Sequence, residues 1–245
     1  MTDSIQALRQ ALSEASTIVA LTGAGISAES GIPTFRGQGG LWRNFSPEKL
    51  ATPEAFARDP RLVWEWYDWR RSLIHRAVPN PGHRALAELE RRAAAEERGG
   101  DFTLVTQNVD GLHDRAGSQN VVKLHGDIWE VRCMDCGAAG RNEQVPVDPL
   151  PPNCNCGGLL RPGVVWFGEA LPELAWQRAY QASARARLFL VIGTSATVYP
   201  AAGLAQVARD GGAQLAIINP VVTPLDELAD WVLRGPSGEI LPRLL

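Results

Sequence analysis

A basic surplus, long apolar runs and scattered cysteines are all missing from this 245-residue sequence, and each absence removes a class of explanation. The formal net charge is −3 and lysine is scarce beside arginine, so nothing in the totals favours a phosphate backbone, which nucleic-acid domains meet with a basic excess. No stretch approaches the roughly 18 to 20 apolar residues of a membrane span. Met1 to Arg9 carries Asp3 and no apolar run, so neither a secretion signal nor an anchor is expected, and the expected location is cytoplasmic. Cysteine is absent outside the window Cys133 to Cys156, where all four lie. In a reducing compartment that clustering argues for metal ligation over disulfides.

What remains is ordinary globular composition, 45% apolar and 21% charged, in a chain long enough for one large domain carrying smaller insertions. Ile5 to Ala15 has helical spacing, Thr17 to Leu21 is a β-prone run ending at Thr22, and His83 to Arg98 reads as an amphipathic helix. Further strands are expected at Phe102 to Thr106, Val121 to Leu124, Leu188 to Ile192 and Leu215 to Ile218. Helices fit between the later ones, at Pro172 to Arg185 and Pro200 to Arg209. That alternation predicts an α/β fold with a doubly wound parallel sheet. Two segments break it: a Trp-, Arg- and Pro-rich stretch from Gly37 to Pro81, read as a helical insertion, and Trp129 to Leu160, read as a small inserted module.

Gly23-Ala24-Gly25-Ile26-Ser27-Ala28 follows the first strand with the G-x-G-x-x-G/A spacing that lets a pyrophosphate approach backbone amides. A tight strand-to-helix turn has the same spelling. An ordinary dehydrogenase is disfavoured because the next expected strand lies about 80 residues on, so no acidic residue ends a second strand shortly after the glycines. The run continues Glu29-Ser30-Gly31-Ile32-Pro33-Thr34-Phe35-Arg36-Gly37, which brings a rigid proline, an aromatic face and a guanidinium next to the turn, as in a loop closing over a dinucleotide.

Gly23-Ala24-Gly25-Ile26-Ser27 with Thr34-Phe35-Arg36, Thr106-Gln107-Asn108-Val109-Asp110-Gly111-Leu112-His113, Leu124-His125-Gly126 and Gly193-Thr194-Ser195 resemble the sirtuin signatures, in the sirtuin order. The resemblance runs from about residue 12 to the C-terminus. It implies a Rossmann-type NAD-binding domain over 1–36, 82–128 and 161–245, a helical insertion over 37–81 lining an acyl pocket, and a zinc-binding module over 129–160. It implies an NAD-dependent protein-lysine deacylase that releases nicotinamide, frees lysine and transfers the acyl group to ADP-ribose. His125 is then the general base, a role its chemistry suits near neutral pH, with Asn108 beside it as the second catalytic residue. Gln107 and Asn108 hold the ribose, and Val109 and Asp110 recognise the nicotinamide amide; the same residues also spell a capped turn. Gly193, Thr194 and Ser195, then Asn219, Pro220 and Val221, hold phosphates and the adenosine ribose, with Ser237 beside the adenine. Glu29 and Trp42 are counted on the cofactor side as well.

Cys133-x-x-Cys136 and Cys154-x-Cys156, 17 residues apart, supply four thiolates for a tetrahedral structural zinc, a staple with no open coordination position for catalysis. The one-residue gap of the second pair departs from the usual two. A nucleic-acid zinc module lacks the basic surroundings it needs here. Within Trp64 to Arg71, Tyr67 and Arg70 share a helix face, where a phenol and a guanidinium can meet one carboxylate. This is similar to the Tyr-x-x-Arg pair of class III sirtuins, which prefer succinyl- or malonyl-lysine, and Ala51 matches the small residue that leaves room for the longer acyl chain. Val165, Trp166, Phe167, Gly168 and Glu169 resemble the segment along which substrate peptide adds as an extra strand. Acylated-lysine proteins or peptides are the expected partners of a monomer, with no nucleic acid and no membrane. The competing readings are an NAD-dependent oxidoreductase, which would leave the nicotinamide bond intact, a non-catalytic NAD or ADP-ribose sensor, and ADP-ribosyl transfer to protein.

Overall fold

Apolar runs of five or six residues between amphipathic helices can bury both faces only as inner strands of a layered sheet. A computed structural model describes residues 2–35, 40–41, 46–95 and 100–245, and these adopt that arrangement. Helix α1 (Thr2–Glu14) turns Ile5, Leu8 and Leu12 inward and leads into β1 (Thr17–Thr22). A 3-10 helix, Ala24–Ser30, follows the strand, and it stops at Gly31 with φ +81°. Next come α2 (Pro47–Leu50), α3 (Pro53–Arg58) and α4 (Pro60–Arg76), each opening on a proline, whose missing N–H has no partner to lose in a first turn. Thr52 and Asp59 cap α3 and α4 by accepting from Ala55 N and Leu62 N.

Helix α5 (Pro81–Ala95), β2 (Asp101–Thr106), α6 (Leu112–Ala116) and β3 (Val121–Lys123) return the chain to the main sheet. The chain then leaves it for β4 (Gly126–Cys133), β5 (Ala139–Arg141) and β6 (Leu160–Val164). Helix α7 (Glu173–Arg185), β7 (Leu188–Ile192), α8 (Leu204–Asp210), β8 (Gln214–Ile218), β9 (Trp231–Leu233) and α9 (Ser237–Ile240) complete the large unit.

The large sheet is parallel, in the order β3-β2-β1-β7-β8-β9. That is the doubly wound Rossmann order, and its direction of winding reverses between β1 and β7. Every residue of β7 is buried, with one apolar cluster on each face: Leu8, Leu86 and Leu190 on one side, Phe189, Val191 and Leu204 on the other. The small sheet is antiparallel, in the order β5-β4-β6, and starts at Gly126, immediately after His125. A third apolar cluster, including Trp64, Tyr67, Ile74, Ile128, Trp129 and Trp166, packs α4 against this small sheet. Trp64 Nε1 donates to Leu160 O at 2.7 Å, Asp68 Oδ1 accepts from Val147 N at 2.8 Å, and Arg71 Nε donates to Ile128 O at 2.9 Å.

Candidate active site

The reversal between β1 and β7 leaves the loops after these strands diverging, and open α/β sheets bind ligands in the crevice that results. Here the crevice is a cavity of about 560 Å³, within the usual range for small-molecule sites. Four strand ends floor it: Gly23, Ala24, Gly25 and Ser27 after β1; Gln107, Asn108, Val109 and Asp110 after β2; Gly193, Thr194 and Ser195 after β7; Asn219, Pro220 and Val221 after β8. Thr34 and Phe35 line it from the loop above. Ala51, Tyr67 and Arg70 close the side toward α4, and Val165 to Glu169 close the side toward the small sheet, with His125 between.

The glycines of the floor serve the protein before any ligand. Gly25 N donates to Gly193 O at 2.7 Å, and a Cβ on Gly25 would stand 2.6 Å from that oxygen. Gly193 has φ +58°, and a Cβ there would stand 2.4 Å from Ile26 N. Two strand-end turns therefore touch backbone to backbone, a contact that the spacing rule for pyrophosphate does not anticipate.

Asn108 and Asp110 are fixed by the turn that carries them. Asn108 Nδ2 donates to Gly23 O at 3.0 Å and to Ser27 Oγ at 3.2 Å, so Oδ1 is what the amide offers the cavity. Asp110 Oδ2 accepts from Ser27 Oγ at 2.8 Å and Oδ1 from Leu112 N at 2.9 Å; burial raises its pKa against those bonds. His125 Nδ1 lies 3.0 Å from Gln107 O. A carbonyl only accepts, so Nδ1 carries the proton and Nε2 keeps a lone pair. Burial holds this imidazole below its ordinary pKa, with the Gln107 bond pulling partly back, so the ring is neutral at neutral pH.

At the α4 end, Arg70 is only 7% exposed, yet no hydrogen bond or ion pair to it is found among the described residues. Its guanidinium rests against aromatic rings instead, 4.8 Å from the centroid of Phe35 and 5.1 Å from that of Trp66. Burial pulls its pKa down, with Tyr67 and Asp110 opposing. Tyr67 is also buried, and its hydroxyl accepts from Trp166 Nε1 at 3.0 Å.

The Sir2 family model matches residues 23–200. The chain belongs to the Sir2 family. Among its relatives is an NAD-dependent protein deacylase of Aquifex aeolicus, 58% identical over 228 residues that cover 93% of each chain. A solved Sir2 homologue–NAD complex is similar with TM-score 0.90 and 50% identity, covering 98% of this chain and 91% of that one. A Sir2–p53 peptide–NAD+ complex follows at TM-score 0.86 and 34% identity, covering 98% and 96%.

Of the Sir2 site residues expected from sequence, three stand off the cavity wall. Ile26 is wholly buried in the core, and Glu29 faces Ser237, accepting from Ser237 Oγ at 3.4 Å and Gly238 N at 2.7 Å. Arg36 and Trp42 lie outside the described residues. Val165, Trp166 and Phe167 do not extend β6: their amides donate to His125 O, Glu169 Oε2 and Ala51 O, which ties this segment to two walls of the cavity at once. The four cysteines converge, every sulfur within 4.8 Å of the others. Tetrahedral zinc with Zn–S of about 2.3 Å needs sulfur–sulfur edges of about 3.8 Å, so this set fits one ion with no ligand position left open. The site lies on the small sheet, away from the cavity.

Sequence reasoning missed the buried polar layer beneath the floor. Thr22 Oγ1 donates to Thr106 Oγ1 at 2.8 Å and lies 3.0 Å from His113 Nε2, while Thr106 Oγ1 also accepts from Asn108 N at 3.0 Å. His83 Nε2 is 3.3 Å from Ser27 Oγ, and its ring packs at a tilt of 60° against that of His113, 4.9 Å between centroids. Burial lowers both imidazoles, His83 to about 4, so both are neutral struts of the loop that bears Asn108 and Asp110. The only hint in the sequence is polar residues at the inner ends of apolar strands.

Proposed function

We infer that this Sir2-family chain, an NAD-dependent protein deacylase, receives the acyl end of its lysine substrate at Tyr67 and Arg70 and prefers acyl groups ending in a carboxylate. One observation carries the reading: a buried guanidinium on the cavity wall without an anionic partner among the described residues. A buried, unpaired cation is costly, and a ligand carboxylate offsets that cost through charge-assisted hydrogen bonds. The adjacent phenol adds a second donor. Ala51, buried at the same wall, takes up little of the space that a four-carbon acyl chain needs.

The remaining roles follow the Sir2 resemblance, and the geometry is compatible with them. Bound NAD supplies a glycosidic bond to nicotinamide whose cleavage activates the adjoining ribose carbon toward the acyl oxygen. His125, neutral and with Nε2 free, takes a proton from a hydroxyl in the cavity. Asn108 presents Oδ1 from a fixed amide, and Asp110 holds the turn through Ser27 and Leu112. Gly23 to Ser27, Gln107, Gly193 to Ser195 and Asn219 to Val221 grip the rest of the dinucleotide, and Val165 to Glu169 guide the peptide to the ring. Peptide substrates accord with the Sir2–p53 peptide–NAD+ complex named above. The reading also assigns the Rossmann-type, helical and zinc-bearing segments their separate tasks, and has the chain act as a monomer without nucleic acid, in keeping with its net charge of −3.

The test is a mass-spectrometric panel of acetyl-, malonyl- and succinyl-lysine peptides with and without NAD. NAD-dependent removal of succinyl or malonyl faster than acetyl is expected, with nicotinamide released. Arg70→Met should erase or reverse that preference; equal rates in the parent protein would remove the reason for naming Tyr67 and Arg70.

A further inference from the structure

The hydroxyl of Tyr67 has two directions to choose between, and a neighbour outside the helix chooses for it. An indole N–H only donates, so in the 3.0 Å contact from Trp166 Nε1 the phenol oxygen accepts. The phenol's own proton must then leave along another direction, and no protein acceptor for it is found among the described residues. Burial pushes the Tyr67 pKa up to about 12, so that proton is present throughout the neutral range.

Trp166 is itself held in place. The Arg161 guanidinium stacks 3.5 Å from its ring centroid and forks onto Glu169 at 2.6 and 2.9 Å. Glu169 Oε2 also accepts from Trp166 N at 2.8 Å, and Arg161 Nη2 donates to Val164 O at 3.0 Å. Phe56 covers the indole as well, at 5.3 Å between ring centroids. A bidentate Arg–carboxylate pair, 14% and 25% exposed at its two side chains, is more than a peptide strand alone requires, and it fixes both ring position and N–H direction.

We propose that Trp166, clamped by Arg161 and Glu169, is a specificity-positioning residue: its indole N–H turns the Tyr67 hydroxyl so that the phenol donates to the carboxylate of the acyl group. The assignment rests on the reading that the preferred acyl group is acidic. Trp166 then sets the donor inventory of the pocket as one guanidinium plus one phenol, where a freely rotating hydroxyl would present acceptor and donor alternately.

A double-mutant cycle tests it, read as the ratio of kcat/KM for succinyl- over acetyl-lysine peptide. Tyr67→Phe is expected to lower the ratio roughly tenfold, and Trp166→Phe roughly three- to tenfold, mainly through KM of the succinyl peptide. The double variant should fall no lower than Tyr67→Phe alone. Arg161→Gln enters the same cycle while keeping every cavity-lining side chain; it should lower the ratio in the parent and leave it unchanged in the Tyr67→Phe background. A parent without succinyl preference overturns the carboxylate reading and this assignment with it. A parent that has the preference, but whose ratio survives Trp166→Phe and Arg161→Gln or whose single effects multiply in the doubles, overturns the Trp166 assignment alone.

Discussion

Gly126 stands between His125 and Asp127 with φ +78°, and replacing it with alanine should cost far more than its size suggests. Two terms add. The left-handed backbone costs an L-residue about 1–2 kcal/mol. The new Cβ would also stand 2.2 Å from Gly163 O and 3.1 Å from Val164 Cα, both backbone atoms that no rotamer change can move. Relief requires β4 and β6 to part at their paired residues Gly126 and Val164, an overpacking cost of about 1–3 kcal/mol. The sum is a loss of about 2–5 kcal/mol in urea unfolding, against about 1–2 kcal/mol for Gly117→Ala, whose φ is +103° but whose Cβ would have nothing within 4 Å. Because parting the strands displaces His125, whose carbonyl accepts from Val165 N at 2.9 Å, kcat/KM should fall at least about tenfold in Gly126→Ala and stay level in Gly117→Ala. Equal stability losses in the two variants, with activity intact in both, would refute the steric reasoning.

The His125 pKa lies below its ordinary 6.5, and the base proposed here works only when neutral. Activity is therefore retained as pH falls to that value, and the acid limb of the kcat/KM profile should lie below it; a limb at or above 6.5 contradicts the assignment. Arg71→Met strips the donors from Ile128 O and Asn142 Oδ1 and should cost about 2–4 kcal/mol in denaturant unfolding. Arg70→Met removes no hydrogen bond found among the described residues and should change stability by about 1 kcal/mol or less in either direction; the reverse ranking would overturn the division of labour between these neighbours. Cys136→Ser, or a strong chelator, should lower Tm by several degrees while nicotinamide release persists well below the new Tm; a Tm indifferent to the metal would argue against a staple.

The large sheet was readable because its strands are short apolar runs buried on both faces, and Leu188 to Ile192 has the same bounds in the structure as in the sequence reading. The small sheet was not: Pro162 and Gly163 interrupt β6, and β4 changes register between Gly126 and Val131, so no clean alternation survives in the residues. Within the site, Tyr67 and Arg70 could be paired by helical spacing alone, and both line the cavity. The next arginine shows the limit of that method. Charge suggests that Arg71 is solvated, yet it is wholly buried between Trp64 and Trp129 because carbonyl and amide acceptors happen to meet it there. Thr22, Thr106 and His113 escaped for a related reason: at the end of an apolar strand a neutral polar residue reads as the start of a turn, and only the fold reveals what stands behind it.

Helix α4 is fastened by Trp64 and Arg71 to the same small sheet that carries Cys133, and by Asp68 to Val147 in the loop between its strands, while Tyr67 and Arg70 on that helix look into the cavity. The wall proposed to read the tail of the modified lysine and the scaffold that the metal rivets together are thus one mechanical body. Loosening the rivet should blur the choice between tails sooner than it disturbs the grip on the dinucleotide, which on the same proposal hangs from the other sheet.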